Sequence, residues 1–74
     1  GRDWAAIRKR MRELGVGRYW IEGEPGGPAR FRCTLPVAGQ RGVAQQFEAE
    51  GEDALQAAET ALRRAALWKA TESE

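Results

Sequence analysis

The spacing of apolar residues changes twice along this chain, from threes and fours to twos and back again, and that alternation limits the folds open to it. Behind Asp3, a good N-cap, Trp4, Ile7, Met11 and Leu14 recur at intervals of three, four and three. This is the stripe of an amphipathic helix over about residues 4–14, closed by Gly15 as a left-handed C-cap. After Gly17 the interval becomes two. RYWIEGE (18–24) sends Tyr19 and Ile21 to one side and Trp20 and Glu22 to the other, as a half-buried strand does. PGGP (25–28) has the chemistry of a type II turn, with Pro at the first central position and Gly at the second. In the strand that follows, about 29–36, Phe31, Cys33 and Leu35 face one way and Arg30, Arg32 and Thr34 the other. A third strand, about 43–50, turns Val43, Phe47 and Ala49 inward. Gln45 interrupts that apolar face, which points to a bulge or a strand end. Glu52 or Asp53 then caps a second helix, about 53–69, with Leu55, Ala58, Leu62, Ala65 and Ala66 on its inner side. Thr71 to Glu74 are expected to fray.

The order helix, three strands, helix, joined by short loops, predicts an α+β domain. Its strands form a three-stranded antiparallel meander, and each helix has a single apolar face that can be buried only on one side of the sheet, beside the other helix. The opposite sheet face stays wet and carries Trp20, Glu22, Arg30, Arg32, Thr34, Gln46 and Glu48. With 74 residues there is one domain. A chain of that size buries only about 60–65% of its unfolded surface and has a stability of about 4–8 kcal/mol, so its core must be economical.

Several chemistries are excluded by composition. The chain has one cysteine and no histidine, which removes an internal disulfide, the usual zinc constellations and every histidine-based triad. Cys33 reads as a small core residue rather than a nucleophile. No apolar run approaches the ~20 residues of a membrane span, and the expected setting is reducing and cytoplasmic. Gly1 reads as an added leading residue, which leaves a processed or larger parent protein open. PGGP is too short to cradle phosphates and has no following lysine or helix. The carboxylate pairs Glu22/Glu24 and Glu48/Glu50 lie on open strands with no pocket to shift a pKa. The reading is therefore of a non-catalytic chain without a cofactor, metal or small-molecule substrate.

Net charge is only +1, but it is divided. Residues 1–18 hold Arg2, Arg8, Lys9, Arg10, Arg12 and Arg18 against Asp3 and Glu13, a net of +4. Residues 43–74 hold Arg63, Arg64 and Lys69 against seven carboxylates, a net of −4. Such a split serves attraction between the ends of the chain, attraction between copies, or a basic binding face with an acidic back.

The order of elements resembles the double-stranded RNA-binding domain along nearly the whole chain. Tyr19 stands where that family has a tyrosine in its opening strand. PGGPARF resembles its first hairpin loop and the phenylalanine after it, VAG its valine and glycine before the second turn, and QAAETAL the alanine-rich run of its last helix. In that family RNA is gripped by the first helix, by the first hairpin loop and by a lysine cluster at the start of the last helix. Here Glu50, Gly51 and Ala54 fall where those lysines would be, with Glu52 and Asp53 between them. Losing several phosphate contacts costs orders of magnitude in affinity at physiological salt. If the segment were only a damaged RNA site, lysines at Glu50, Gly51 and Ala54 would restore duplex binding.

Members of the family without the lysine cluster commonly serve in protein interaction, often dimerisation, and the resemblance implies the same here. The expected role is thus a protein-protein interaction module or homodimer. Trp20, with Arg30 and Arg32 beside it on the wet face, is the candidate partner site. The alternative is weak double-stranded RNA or other nucleic-acid binding by the basic face of the first helix, through Arg8, Lys9 and Arg12.

Overall fold

The computed structural model describes residues 3–72, in the order α1 (Trp4–Leu14), β1 (Arg18–Gly23), β2 (Ala29–Pro36), β3 (Ala44–Gly51) and α2 (Ala54–Glu72). The strands form one antiparallel sheet in the order β1-β2-β3. Both helices contribute to a single core on one face of it. The α+β layout expected from the periodicity is therefore the observed one.

Local chemistry sets the helix ends. The Asp3 carboxylate accepts from the Ala6 amide at 2.8 Å, satisfying one of the free donors at the start of α1. At the other end Gly15, at φ 81°, donates to the carbonyls of Met11 and Arg12. Lys69 of α2 adds its Nζ to the Leu14 carbonyl at 2.8 Å, tying the last turn of α1 to the second helix. Of the two cap candidates for α2, Asp53 fills the position. Its Oδ1 accepts from the Gln56 amide at 2.8 Å, while Gln56 Oε1 accepts from the Glu52 amide at 2.6 Å, a reciprocal arrangement of the capping-box kind. The helix runs three residues beyond the expected end, with Thr71 and Glu72 still helical; Ser73 and Glu74 lie outside the described residues.

The core is built on β2, the central strand. Phe31, Cys33 and Leu35 are fully buried along its inner face, against Leu62, Ile7, Met11 and Ala49. On α2 the buried surface is mostly alanine, at positions 57, 58, 61 and 65. Such small side chains bring the helix backbone down onto the sheet. Trp68 closes the far end of this core, its ring 5.5 Å from that of Phe47.

One open alternative is resolved and two expectations are corrected. The β2–β3 register runs without interruption, Leu35 facing Gln45 and Pro36 facing Ala44, so there is no bulge at Gln45. Of the two alternatives the strand end holds: Gln45 is the second residue of β3 and is exposed. Val43 is not an inward strand residue. It lies in the preceding loop and is 46% exposed, its backbone paired with Val37 and Gln40. The largest difference concerns β1, which is exposed at every one of its six residues. Tyr19 and Ile21 do lie on the helix side of the sheet, opposite the buried Cys33 and Phe31. They are only half-covered there, because α2 runs along β3 and β2 and barely reaches β1, while α1 packs chiefly on α2.

Candidate functional site

The residues singled out from the sequence fall into two groups on opposite sides of the sheet. Trp20, Arg30 and Arg32 share the wet face: Arg30 and Arg32 alternate with the buried Phe31 and Cys33 of β2, and Trp20 stands opposite Arg32. Trp20 and Arg32 are cross-strand partners, and the Arg32 guanidinium carbon lies 5.7 Å from the centre of the Trp20 ring. A cation stacked on an indole is worth about 0.5–1 kcal/mol at such an exposed site. Arg32 also forms an ion pair with Glu22, two residues along β1 from Trp20.

Arg30 is engaged in the same manner on the other side of β2. Its Nη2 lies 2.7 Å from Glu50 Oε1, and its Nε is 3.8 Å from Glu48. The Glu50 hydrogen bond and charge, then that of Glu48, raise the Arg30 pKa above its ordinary value. Arg30 and Arg32 therefore already face carboxylates of their own chain. The paired carboxylates face guanidinium groups in turn, an arrangement suited to holding neighbouring strands in register. A phosphate group approaching Arg30 and Arg32 would meet three glutamates alongside those two arginines.

Arg8, Lys9 and Arg12 lie on the exposed side of α1 and, among the described residues, have no ion-pair partner. Arg8 and Arg12 border an open cleft of about 240 Å³ between α1 and β1, floored by Met11, Val16, Gly17 and Tyr19. The structure thus joins part of the basic helix face to an aromatic residue of β1. It does not join it to Trp20, Arg30 and Arg32.

The alternation of Tyr19 and Ile21 predicts the inner side of a half-buried strand, yet both belong to the exposed surface. Tyr19 is 49% exposed, although its ring stacks on Phe31 at 5.8 Å, and Ile21 is 45% exposed. With Trp20 at 41%, β1 presents large apolar side chains on both of its faces. Alternation reports which face a residue occupies. It does not report whether a helix lies over that face.

The two sheet edges are treated differently. At β3, Arg64 reaches from α2 to donate to the Glu48 carbonyl at 2.8 Å, occupying one of the backbone acceptors of that strand. The side chains there include Glu48 and Glu50, so the β3 edge is both acidic and partly capped. Among the described residues β1 has no counterpart to Arg64. Its edge is an open row of backbone donors and acceptors between exposed aromatic and aliphatic side chains.

No group of three or more metal-ligating side chains is assembled among the described residues, and no helix is long and apolar enough to cross a membrane. No family model, curated protein or solved structure matches the chain.

Proposed function

We propose that this domain is a non-catalytic interaction module that binds protein through β1. The observation that carries the reading is the exposure of β1 on both faces, with Tyr19 and Ile21 left only half-covered and Trp20 on the wet side. Tyr19, Trp20 and Ile21 remain 41–49% exposed, so a partner that buried them fully would gain about half of the ~1.5–3 kcal/mol that burying a whole large apolar side chain is worth. Aromatic residues of this kind are the usual anchors of protein interfaces. The pairing of Arg30 and Arg32 with glutamates supports protein rather than phosphate as the ligand of the wet face. The αβββα order and the acidic start of α2 agree with a double-stranded RNA-binding-like domain turned to protein contacts.

The second reading is weak duplex RNA binding by α1, favoured by Arg8, Lys9 and Arg12, which have no ion-pair partner among the described residues. Titration with a duplex RNA of about 16 base pairs, the span of a typical domain of this class, separates the two. The expected result is no binding at physiological salt and at most weak, salt-sensitive binding at low salt. Micromolar binding at physiological salt, lost on neutralising Arg8, Lys9 and Arg12, would reverse the order of the two readings.

A further inference from the structure

β1 has a sequence complementary to itself. When two copies of RYWIE pair antiparallel about a two-fold axis at Trp20, Arg18 stands opposite Glu22 of the second copy and Tyr19 opposite its Ile21, while the two Trp20 side chains meet on the axis. Every cross-strand pair in that register is favourable: opposite charges at each end, an aromatic residue on a β-branched one, and an indole beside an indole. Shifting the axis to Ile21 sets Trp20 against Glu22 and leaves Tyr19 facing Gly23. Shifting it to Tyr19 sets Arg18 against Trp20. Only the Trp20-centred register pairs all five.

The structure leaves this pairing open. All of β1 is exposed, and Arg18 has no ion-pair partner among the described residues. Glu22 gives one oxygen to Arg32, and the carboxylate has acceptor capacity left. The β3 edge offers no comparable match, since it carries glutamates without cations and its Glu48 carbonyl is taken by Arg64. An axis perpendicular to the sheet keeps the helices of both copies on one side. Tyr19 and Ile21 would then be covered by their counterparts on that side and Trp20 by its own on the other.

We infer that the occupant of the β1 edge is a second copy of this chain, giving an isologous dimer with a continuous six-stranded sheet centred on Trp20. This rests on the interaction-module reading and names its partner. The contact is small, so the dimer is a weak one, with a dissociation constant on the order of tens of micromolar.

Sedimentation of the wild type over a concentration series should show a monomer–dimer equilibrium. Arg18→Glu and Glu22→Arg each place like charges opposite one another and should weaken the dimer by about tenfold or more. Mixed in equal amounts, the two variants should form a heterodimer. The glutamate introduced at position 18 of one chain then meets the arginine introduced at position 22 of the other, and the native Glu22 of the first meets the native Arg18 of the second. Far-UV circular dichroism checks that both variants fold. Amide exchange of the wild type provides an independent reading, with β1 protection rising with concentration while β3 protection stays constant. A wild type that remains monomeric at hundreds of micromolar, or a dimer indifferent to both substitutions, overturns the inference. The second outcome would indicate head-to-tail attraction between the basic and acidic halves. In either case the interaction-module reading is judged separately, by the RNA titration.

Discussion

Gly51 lies so close to the first turn of α2 that a Cβ placed on it would come within 2.7 Å of the Ala57 amide nitrogen and 3.1 Å of its Cα. Both contacts are with backbone, so neither atom can swing aside. Gly51→Ala is therefore expected to cost about 1–3 kcal/mol, as overpacking of a tight contact does, and to lower the midpoint of urea unfolding. An unchanged midpoint would show that the first turn of α2 can shift without cost.

The same contact revises how a lysine cluster could be restored. Of the three positions suggested by the family resemblance, Gly51 cannot accept a lysine, and Glu50 is engaged with Arg30. The workable graft is therefore Glu52→Lys with Ala54→Lys. Folded variant protein should gain weak duplex RNA binding at low ionic strength that fades as salt rises. If it ignores duplex RNA even at low salt, the likeness to RNA-binding domains ends at topology.

Asp53→Ala removes the acceptor of the Gln56 amide and a negative charge at the positive end of the α2 dipole. The expected loss is about 1 kcal/mol, read from urea unfolding, with no gain in RNA affinity. Asp53→Asn, which keeps an acceptor, should recover most of it. Equal losses in the two variants would assign the effect to charge alone.

Trp20 and Phe31 should respond in opposite ways to truncation. Phe31 is fully buried in the centre of the core, so Phe31→Ala is expected to cost about 3–5 kcal/mol, enough to unfold much of a domain this small. Trp20 is held only by Arg32 and partial burial, and Trp20→Ala should change stability by about 1 kcal/mol or less. Thermal unfolding of both variants checks this. A large loss on removing Trp20 would make it a structural residue rather than part of a binding surface.

Burial raises the Cys33 thiol from an ordinary 9.0 to about 11. Because the folded-state value is the higher one, the protonated thiol favours the fold. Its contribution is complete below about pH 9 and is lost as the pH rises from there through about 11. The wild type should therefore lose stability over that window more steeply than Cys33→Ala, measured by urea unfolding at each pH. Parallel curves would show that the thiolate finds a solvated position. At neutral pH the native thiol should react with iodoacetamide far more slowly than the unfolded chain.

Much of this fold was legible in the sequence because its determinants are local. The spacing of Trp4, Ile7, Met11 and Leu14, the clean alternation from Phe31 to Leu35, the Asp3 and Gly15 caps and the PGGP turn each report on a few neighbouring residues. Those signals agreed with one another, giving all five elements and their order to within a few residues. Trp20 and Arg32 were also legible as neighbours, since a hairpin with one turn leaves few registers.

Tertiary structure decided which surfaces are covered. Two helices on a three-stranded sheet cannot shield every strand equally, and the alanine-rich α2 settles over β2 and β3, where its backbone can approach closely. Tyr19 and Ile21 are left at the margin, although their alternation is the same as that of residues in the core. The pairing of Arg30 with Glu48 and Glu50, the reach of Arg64 to the Glu48 carbonyl and the contact of Gly51 with Ala57 all join residues distant in sequence or on different elements. The first depends on the β2–β3 register and the other two on how α2 lies on the sheet, a geometry set by packing of the whole core, which no local spacing encodes.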